Sequence, residues 1–184
     1  MDTTMDNQQA TENELRLAWL GGVTDSDGCI SMSERNRRGR REINVTFVIT
    51  NSDPLFIELV ASILSENGVA HHVDWHAPSQ KGGWNKKPFG TVRCTGYKCL
   101  AVLNLLQPYI LAKNEQVNLV LEFLENRISN STPSVLMPYS KRDWEIFDRV
   151  RELKHAGASE TTRETSLNGD DDIVQAEYES LGIL

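Results

Sequence analysis

The feature that most constrains this chain is a change of hydrophobic period at one glycine. Leu15, Leu17, Ala18, Trp19, Leu20 and Val23 follow helical spacing to about Ser26. After Gly28 the apolar residues Ile30 and Met32, then Ile43, Val45, Phe47 and Ile49, recur at every second position. A 3.6-residue period gathers side chains on one face of a helix, and a two-residue period gathers them on one face of a strand. The expectation is a helix from Glu12 to about Ser26, a left-handed exit at Gly28, and a hairpin of two half-buried strands. Arg35, Asn36, Arg37, Arg38, Gly39, Arg40 and Arg41 form its polar tip.

The same punctuation continues downstream. Ser52 or Asp53 caps a second helix with Pro54 at its first position, and Phe56, Leu59, Val60, Ile63 and Leu64 repeat at helical spacing until Asn67 and Gly68. A second strand pair uses Val69 to His76 and about Phe89 to Thr95, joined by a Gly- and Lys-rich loop; its register is open. Tyr97 to Leu106 and Glu115 to Arg127 read as helices broken near Pro108. The order helix, two strands, helix, two strands, helix predicts an α+β fold, an αββαββα core with an antiparallel sheet and helices on one side. Residues 1–11 read as a flexible N-terminus, 12–128 as the core and 129–184 as a C-terminal extension. In that extension Lys141 to His155 and Asp171 to Leu184 form short helices outside the core.

The cysteines Cys29, Cys94 and Cys99 are an odd count without a C-x-x-C pair, so they read as reduced, packed thiols. No run reaches the roughly 20 apolar residues of a membrane span, and Met1 to Glu14 is polar, so the expectation is a soluble protein of the cytoplasm or an organelle matrix. The net charge of −7 argues against a nucleic-acid partner when taken alone. Its distribution reverses that impression. Cys29 to Lys113 carries eleven basic and six acidic residues, Met1 to Gly28 one and six, and Asn114 to Leu184 seven and fourteen. A basic middle between acidic flanks is compatible with DNA.

Chemistry concentrates in Leu20-Gly21-Gly22-Val23-Thr24-Asp25-Ser26-Asp27-Gly28. Ala18 and Gly22 share one helix face with Gly21 beside them, so two such helices can approach with backbones nearly touching. Asp27 emerges at the helix C-terminus, where the dipole disfavours a carboxylate and a symmetry mate brings a second one close. Cations relieve that repulsion, and the same arrangement holds Mg²⁺ between carboxylates and a phosphate. An EF-hand reading of Asp25, Asp27, Gly28 and Glu34 fails because Val23 occupies the place of the first carboxylate and strands follow. His71, His72 and His76 lack the spacing and partners of a zinc site.

The nine residues resemble the signature of LAGLIDADG homing endonucleases, matching at the leading Leu, the third-place Gly, both Asp residues and the final Gly. The order of elements supports the resemblance, as do Leu106-Gln107-Pro108-Tyr109-Ile110 with Lys113, Gln116 and Leu121-Glu122-Phe123, which look like the family's last core helix region. It covers about Glu12 to Arg127. It implies a site-specific endonuclease that cuts double-stranded DNA across the minor groove with Mg²⁺, for which Mn²⁺ can substitute, leaving short 3′ overhangs. Because one motif is present, it implies a homodimer on a long, nearly palindromic site; no membrane and no small-molecule substrate enter this reading. Asp27 matches the metal-binding catalytic acid, with the Ser26 carbonyl as a further ligand. Asp25 matches a structural acid that caps helix ends at the dimer interface, alongside Ala18, Gly21 and Gly22. Lys113 matches the basic residue near the attacking water or phosphate, and Asn51 a pocket position where Gln is familiar. Leu55 departs from relatives that carry a pocket Arg, which leaves the second basic group of the site unassigned. The alternative is the same fold without cleavage, acting as an intron-RNA splicing cofactor or a DNA-binding regulator.

Strand alternation supplies the reading surface. Burying Ile30, Met32, Ile43, Val45, Phe47 and Ile49 turns Ser31, Ser33, Arg35, Asn44, Thr46 and Thr50 outward. That polar face suits base edges in the major groove, with Arg37, Arg38, Arg40 and Arg41 at the tip for phosphates or guanines. In the second pair His72, Thr91 and Arg93 are the candidates, with Lys86 and Lys87 for the backbone.

Overall fold

The structure, a computed structural model, describes residues 3–37, 39–78, 87–130 and 138–166. Helix α1 (Thr3–Ser26) is followed by β1 (Cys29–Arg37), β2 (Arg40–Asn51), α2 (Pro54–Glu66), β3 (His72–His76) and β4 (Phe89–Thr95). Helix α3 (Lys98–Leu106), a 3-10 turn at Gln107–Tyr109, α4 (Asn114–Ser129) and α5 (Lys141–Ser166) complete the described chain. The αββαββα order and the antiparallel sheet, with strands in the order β1-β2-β4-β3, match the expected α+β class. The open register is now defined: Thr50 faces Thr91, Val48 faces Arg93, and His72 faces Arg93 from the other side.

Local chemistry accounts for the boundaries. Asp53 accepts a hydrogen bond from the Leu55 amide at 2.9 Å, and Pro54 follows it, so α2 begins with one orphan donor satisfied and one absent. Its far end closes at Gly68, whose φ of +70° only glycine adopts readily, with Val69 N–H returning to Leu64 C=O at 2.8 Å. Gly28 does not take the left-handed exit expected of it. Glycine is needed there for space, because a Cβ would lie 2.7 Å from the Thr24 Cα and carbonyl oxygen.

The core lies between one sheet face and the helices. Ile30, Met32, Val45, Phe47 and Ile49 are buried there with Ile57, Val60 and Leu64 of α2, Leu103 and Leu106 of α3, and Val120 and Leu124 of α4. Each such side chain contributes about 1.5–3 kcal/mol of burial. Burial also raises the Cys94 thiol to about 11 and the Cys99 thiol to about 12, which keeps both protonated and unreactive.

Two expectations require revision. Helix α1 begins at Thr3, earlier than the Glu12 start that its apolar spacing marks. Helix α5 is long, and Ile146, Phe147 and Val150 from its first half are buried in the core, so this segment is not an appendage. Two compact units are distinguished, Met1–Val150 and Arg151–Leu184, the second helical through Ser166. The helix expected at Asp171 to Leu184 lies outside the described residues.

Gly21 yields a direct test of packing. A Cβ at this position would lie 2.5 Å from the Tyr109 Cβ and 2.7 Å from its carbonyl oxygen. Gly21→Ala is therefore expected to lower the unfolding free energy by about 1–3 kcal/mol in urea denaturation. A loss under about 0.5 kcal/mol would show that the 3-10 turn moves aside freely.

Candidate functional site

The last turn of α1 closes on one shared carbonyl. Asp27 and Gly28 both donate their amides to the Val23 carbonyl, at 2.8 and 3.1 Å. The buried Thr24 hydroxyl donates to Leu20 C=O at 2.8 Å, and the Ser26 hydroxyl donates to Val23 C=O at 3.2 Å. Ser26 and Asp27 stand exposed at the resulting tip.

Two charged side chains tie this tip to the start of α4. The Asp25 carboxylate accepts from three consecutive amides, Leu111 and Ala112 at 2.7 and 3.0 Å and Lys113 at 3.0 Å. In return the Lys113 ammonium donates to the carbonyls of Thr24 at 2.7 Å and Gly28 at 2.6 Å, at the α1 C-terminus. An anion thus sits where α4 presents its positive pole, and a cation where α1 presents its negative pole. Burial works against the charged form of Asp25, but the amides of Leu111, Lys113 and Ala112 and the Lys113 charge outweigh it and hold the carboxyl below its usual range. Burial pulls the Lys113 ammonium below the usual lysine value, against Asp25, Cys29 and Asp27, which work to raise it. One turn into α4, the buried Gln116 donates to Ile30 C=O at 2.7 Å. Asp27 is bracketed by these contacts on both sides.

The remaining faces of α1 divide between its own chain and solvent. Leu17 and Leu20 enter the core, while Leu15, 67% exposed, joins Ala18 and Gly22 on an open face, and among the described residues no atom lies within 4 Å of where a Gly22 Cβ would stand. Gly21, grouped with that face on sequence grounds, instead meets Tyr109 of the same chain. Asn51 is occupied locally, its side-chain oxygen accepting the Asp53 amide at 2.9 Å in the turn leading to α2.

On the sheet face away from the core, Ser31 pairs with Thr46, Ser33 with Asn44 and Arg35 with Glu42. Ser31, Ser33, Arg35, Asn44, Thr46 and Thr50 are half-buried or exposed on this face, as the alternation requires. Asn44 donates to the Thr46 hydroxyl at 3.1 Å, and Arg35 donates to Glu42 at 3.1 Å. His72, Thr91 and Arg93 extend the same face, although Thr91 is only 8% exposed. Sequence reasoning missed Asp74, which lies beside them, ion-paired to Arg93 and 3.1 Å from His72 Nε2. A single acid in a strand carries no pattern; only the β3–β4 register reveals its neighbours. Arg40 and Lys87 are exposed. Arg38, Lys86 and the Arg37 side chain lie outside the described residues. Arg41 corrects the expected tip: its strand parity places it on the core side, where it pairs with Glu34 and lies 4.5 Å from the Trp144 ring centroid.

No family model and no curated protein matches the chain. Solved structures do. The homing endonuclease I-CvuI, in complex with its target and 2 mM Ca, aligns over 94% of this chain and 98% of its own, with a TM-score of 0.58 and 21% identity. I-CvuI with the I-CreI target in 2 mM Mg, its DNA not cleaved, aligns over 93% and 97% with a TM-score of 0.51 and 19% identity. The group I intron-encoded homing endonuclease I-CeuI, complexed with DNA, aligns over 74% of this chain and 66% of its own, with a TM-score of 0.51 and 13% identity. At these identities the likeness is one of fold.

The Asp25 cap carries a pH signature. Because its folded-state pKa is lowered, its stabilisation is complete above the unfolded carboxyl value of about 3.9 and is lost as pH falls through the folded value. Asp25→Asn is expected to cost about 1–2 kcal/mol near neutrality, with the deficit shrinking below about pH 4 in denaturation series. A deficit constant with pH would contradict a charge-dependent cap.

Proposed function

The chain has the fold of the LAGLIDADG homing endonucleases, and from that premise we propose that it is a site-specific endonuclease. It cuts double-stranded DNA by metal-dependent phosphodiester hydrolysis and works as a homodimer on a long, nearly palindromic site. The observation that carries this reading is the end of α1. The open face of Leu15, Ala18 and Gly22 leads directly to the exposed Asp27. Two copies meeting through that face bring two Asp27 carboxylates together, with a separate reading surface extending from each. A closed two-fold arrangement then treats both DNA strands alike.

The donors at the tip suit a hard divalent cation such as Mg²⁺, since Asp27 and the Ser26 carbonyl are oxygen ligands. Among the described residues of one chain, no three His, Cys, Asp or Glu side chains gather into a cation site. The remaining ligands would be supplied by a second copy and by the phosphate. The cation supplies Lewis-acid stabilisation of the phosphoryl oxygens and a more acidic water. The protein's own part is to hold Asp27 in place. Lys113 keeps positive charge at this tip while fastening it, and its contribution to rate includes both effects. Asn51 shapes the adjoining turn and is the nearest match for a water-ordering pocket residue. On the reading face, Arg35, Arg40, Asn44, Arg93 and Lys87 supply the base and phosphate contacts.

The same fold binding nucleic acid without cleavage is favoured by Leu55, which is 73% exposed and departs from the pocket Arg that the family resemblance implies. Incubating the purified protein with a random-site plasmid library in Mg²⁺ or Mn²⁺ separates the two readings. Linear products are expected; binding without any linear product would give the case to the non-cleaving form.

Two substitutions test the arrangement at the α1 tip. Asp27→Asn is expected to retain DNA binding in gel-shift titration while cutting falls by more than the 10–100-fold typical of losing a ligand's outer support. Gly22→Leu is expected to wedge the paired helices apart and yield a monomer in light scattering. A wild-type protein that is monomeric on DNA would overturn the dimeric reading.

A further inference from the structure

Strand β2 pairs with β4 only from Thr46 to Asn51, whereas its pairing with β1 continues to Arg40. Among the described residues the sheet past Thr46 is therefore a two-stranded ribbon. Such a ribbon is marginal in water unless something packs against it. What packs against it comes from the approach to α5. The Tyr139 hydroxyl accepts the Ile43 amide at 2.9 Å, on the side of β2 that β4 has left open. Trp144 lies under Arg41 on the face opposite the polar reading surface.

These two aromatics are themselves fixed. Tyr139 stacks near Phe123 at 6.2 Å, and Trp144 meets Tyr139 at 5.6 Å and the buried Phe147 at 5.7 Å. The buried Arg127 lies 4.4 Å from the Tyr139 ring and donates to Pro138 C=O at 3.1 Å. The ribbon is thus braced from beneath by side chains anchored in the core.

We propose that Tyr139, Trp144 and Arg41 form a strut that sets the pitch of the β1–β2 ribbon, and that they are positioning residues for base selection at its far end. The inference rests on the DNA reading proposed above. Strand β1 starts two residues after Asp27 and runs nine residues, so its far end lies about 30 Å from the tip of α1. Arg35 and Arg40 at that end read the outer pairs of a site whose centre is at Asp27. A small change of ribbon angle displaces outer contacts more than inner ones. Arg41 faces away from the reading surface, so its influence on base choice acts through the ribbon.

The test is selection of bound duplexes from a randomised pool by the full-length wild type, Arg41→Ala and Tyr139→Phe. Arg41 is exposed and Tyr139→Phe removes a single oxygen, so both variants keep the core. The strut predicts that base preference at the outer pairs weakens by about tenfold while preference at the inner pairs is retained. It also predicts faster hydrogen exchange at the Ile43 amide in Tyr139→Phe. Unchanged preferences, a uniform loss of affinity, or equal weakening at inner and outer pairs would each overturn the strut and leave the DNA reading standing. A wild type that enriches no duplex would remove the DNA reading and the inference with it, whatever the exchange data show.

Discussion

The exchange of charged side chains between two helix ends governs the rest of this structure. Asp25 leaves α1 to satisfy three amides ahead of α4, and Lys113 leaves the start of α4 to satisfy two carbonyls at the end of α1. Each side chain answers the pole opposite to its own charge, so dipole and hydrogen-bond terms reinforce each other. Three amides and two carbonyls at these ends are thereby satisfied within the chain. With Gln116 holding Ile30 C=O, the segment from Thr24 to Ile30 is fastened before any partner arrives. On the proposed reading this is preorganisation of Asp27, and it requires no second copy to form.

The small residues of the same segment perform distinct tasks that a shared pattern conceals. Gly21 admits Tyr109, Gly28 admits the backbone of Thr24, and Gly22 meets nothing among the described residues. Two of these glycines are explained by intrachain crowding. Gly22 lies on the face that Leu15 and Ala18 expose, where on the proposed reading a second copy approaches.

The period change at Gly28 made most of the fold legible, because burial of alternate residues dictates strand faces whatever else the chain does. It placed Ser31, Ser33, Asn44 and Thr46 correctly on the open side and marked the caps of α2. It could not reveal contacts between residues far apart in sequence. Asp25 meets Leu111 across a separation of 86 residues, and Ile43 meets Tyr139 across 96. The Arg41 misassignment has a narrower cause. Five arginines and neighbouring polar residues at the hairpin tip look alike in composition, while strand parity sends Arg41 to the side that Trp144 covers. Likewise, a helix from Lys141 is expected from the sequence, but the burial of Ile146, Phe147 and Val150 in the core is not.

On the proposed reading, the polar sheet face also reconciles acidic net charge with a nucleic-acid partner. Two of its cations are matched by acids on the same face, Arg35 by Glu42 and Arg93 by Asp74. The Arg35–Glu42 pair lies at the surface and is worth on the order of 1 kcal/mol at most, so a base edge can replace it at little cost, whereas the Arg93–Asp74 pair is part-buried. Arginine released in this way is matched to guanine, and a freed carboxylate accepts from cytosine N4. A surface neutralised in advance gains less from phosphates than a bare basic patch does. Its selectivity then depends on whether hydrogen bonds in the groove replace those already made across the strands.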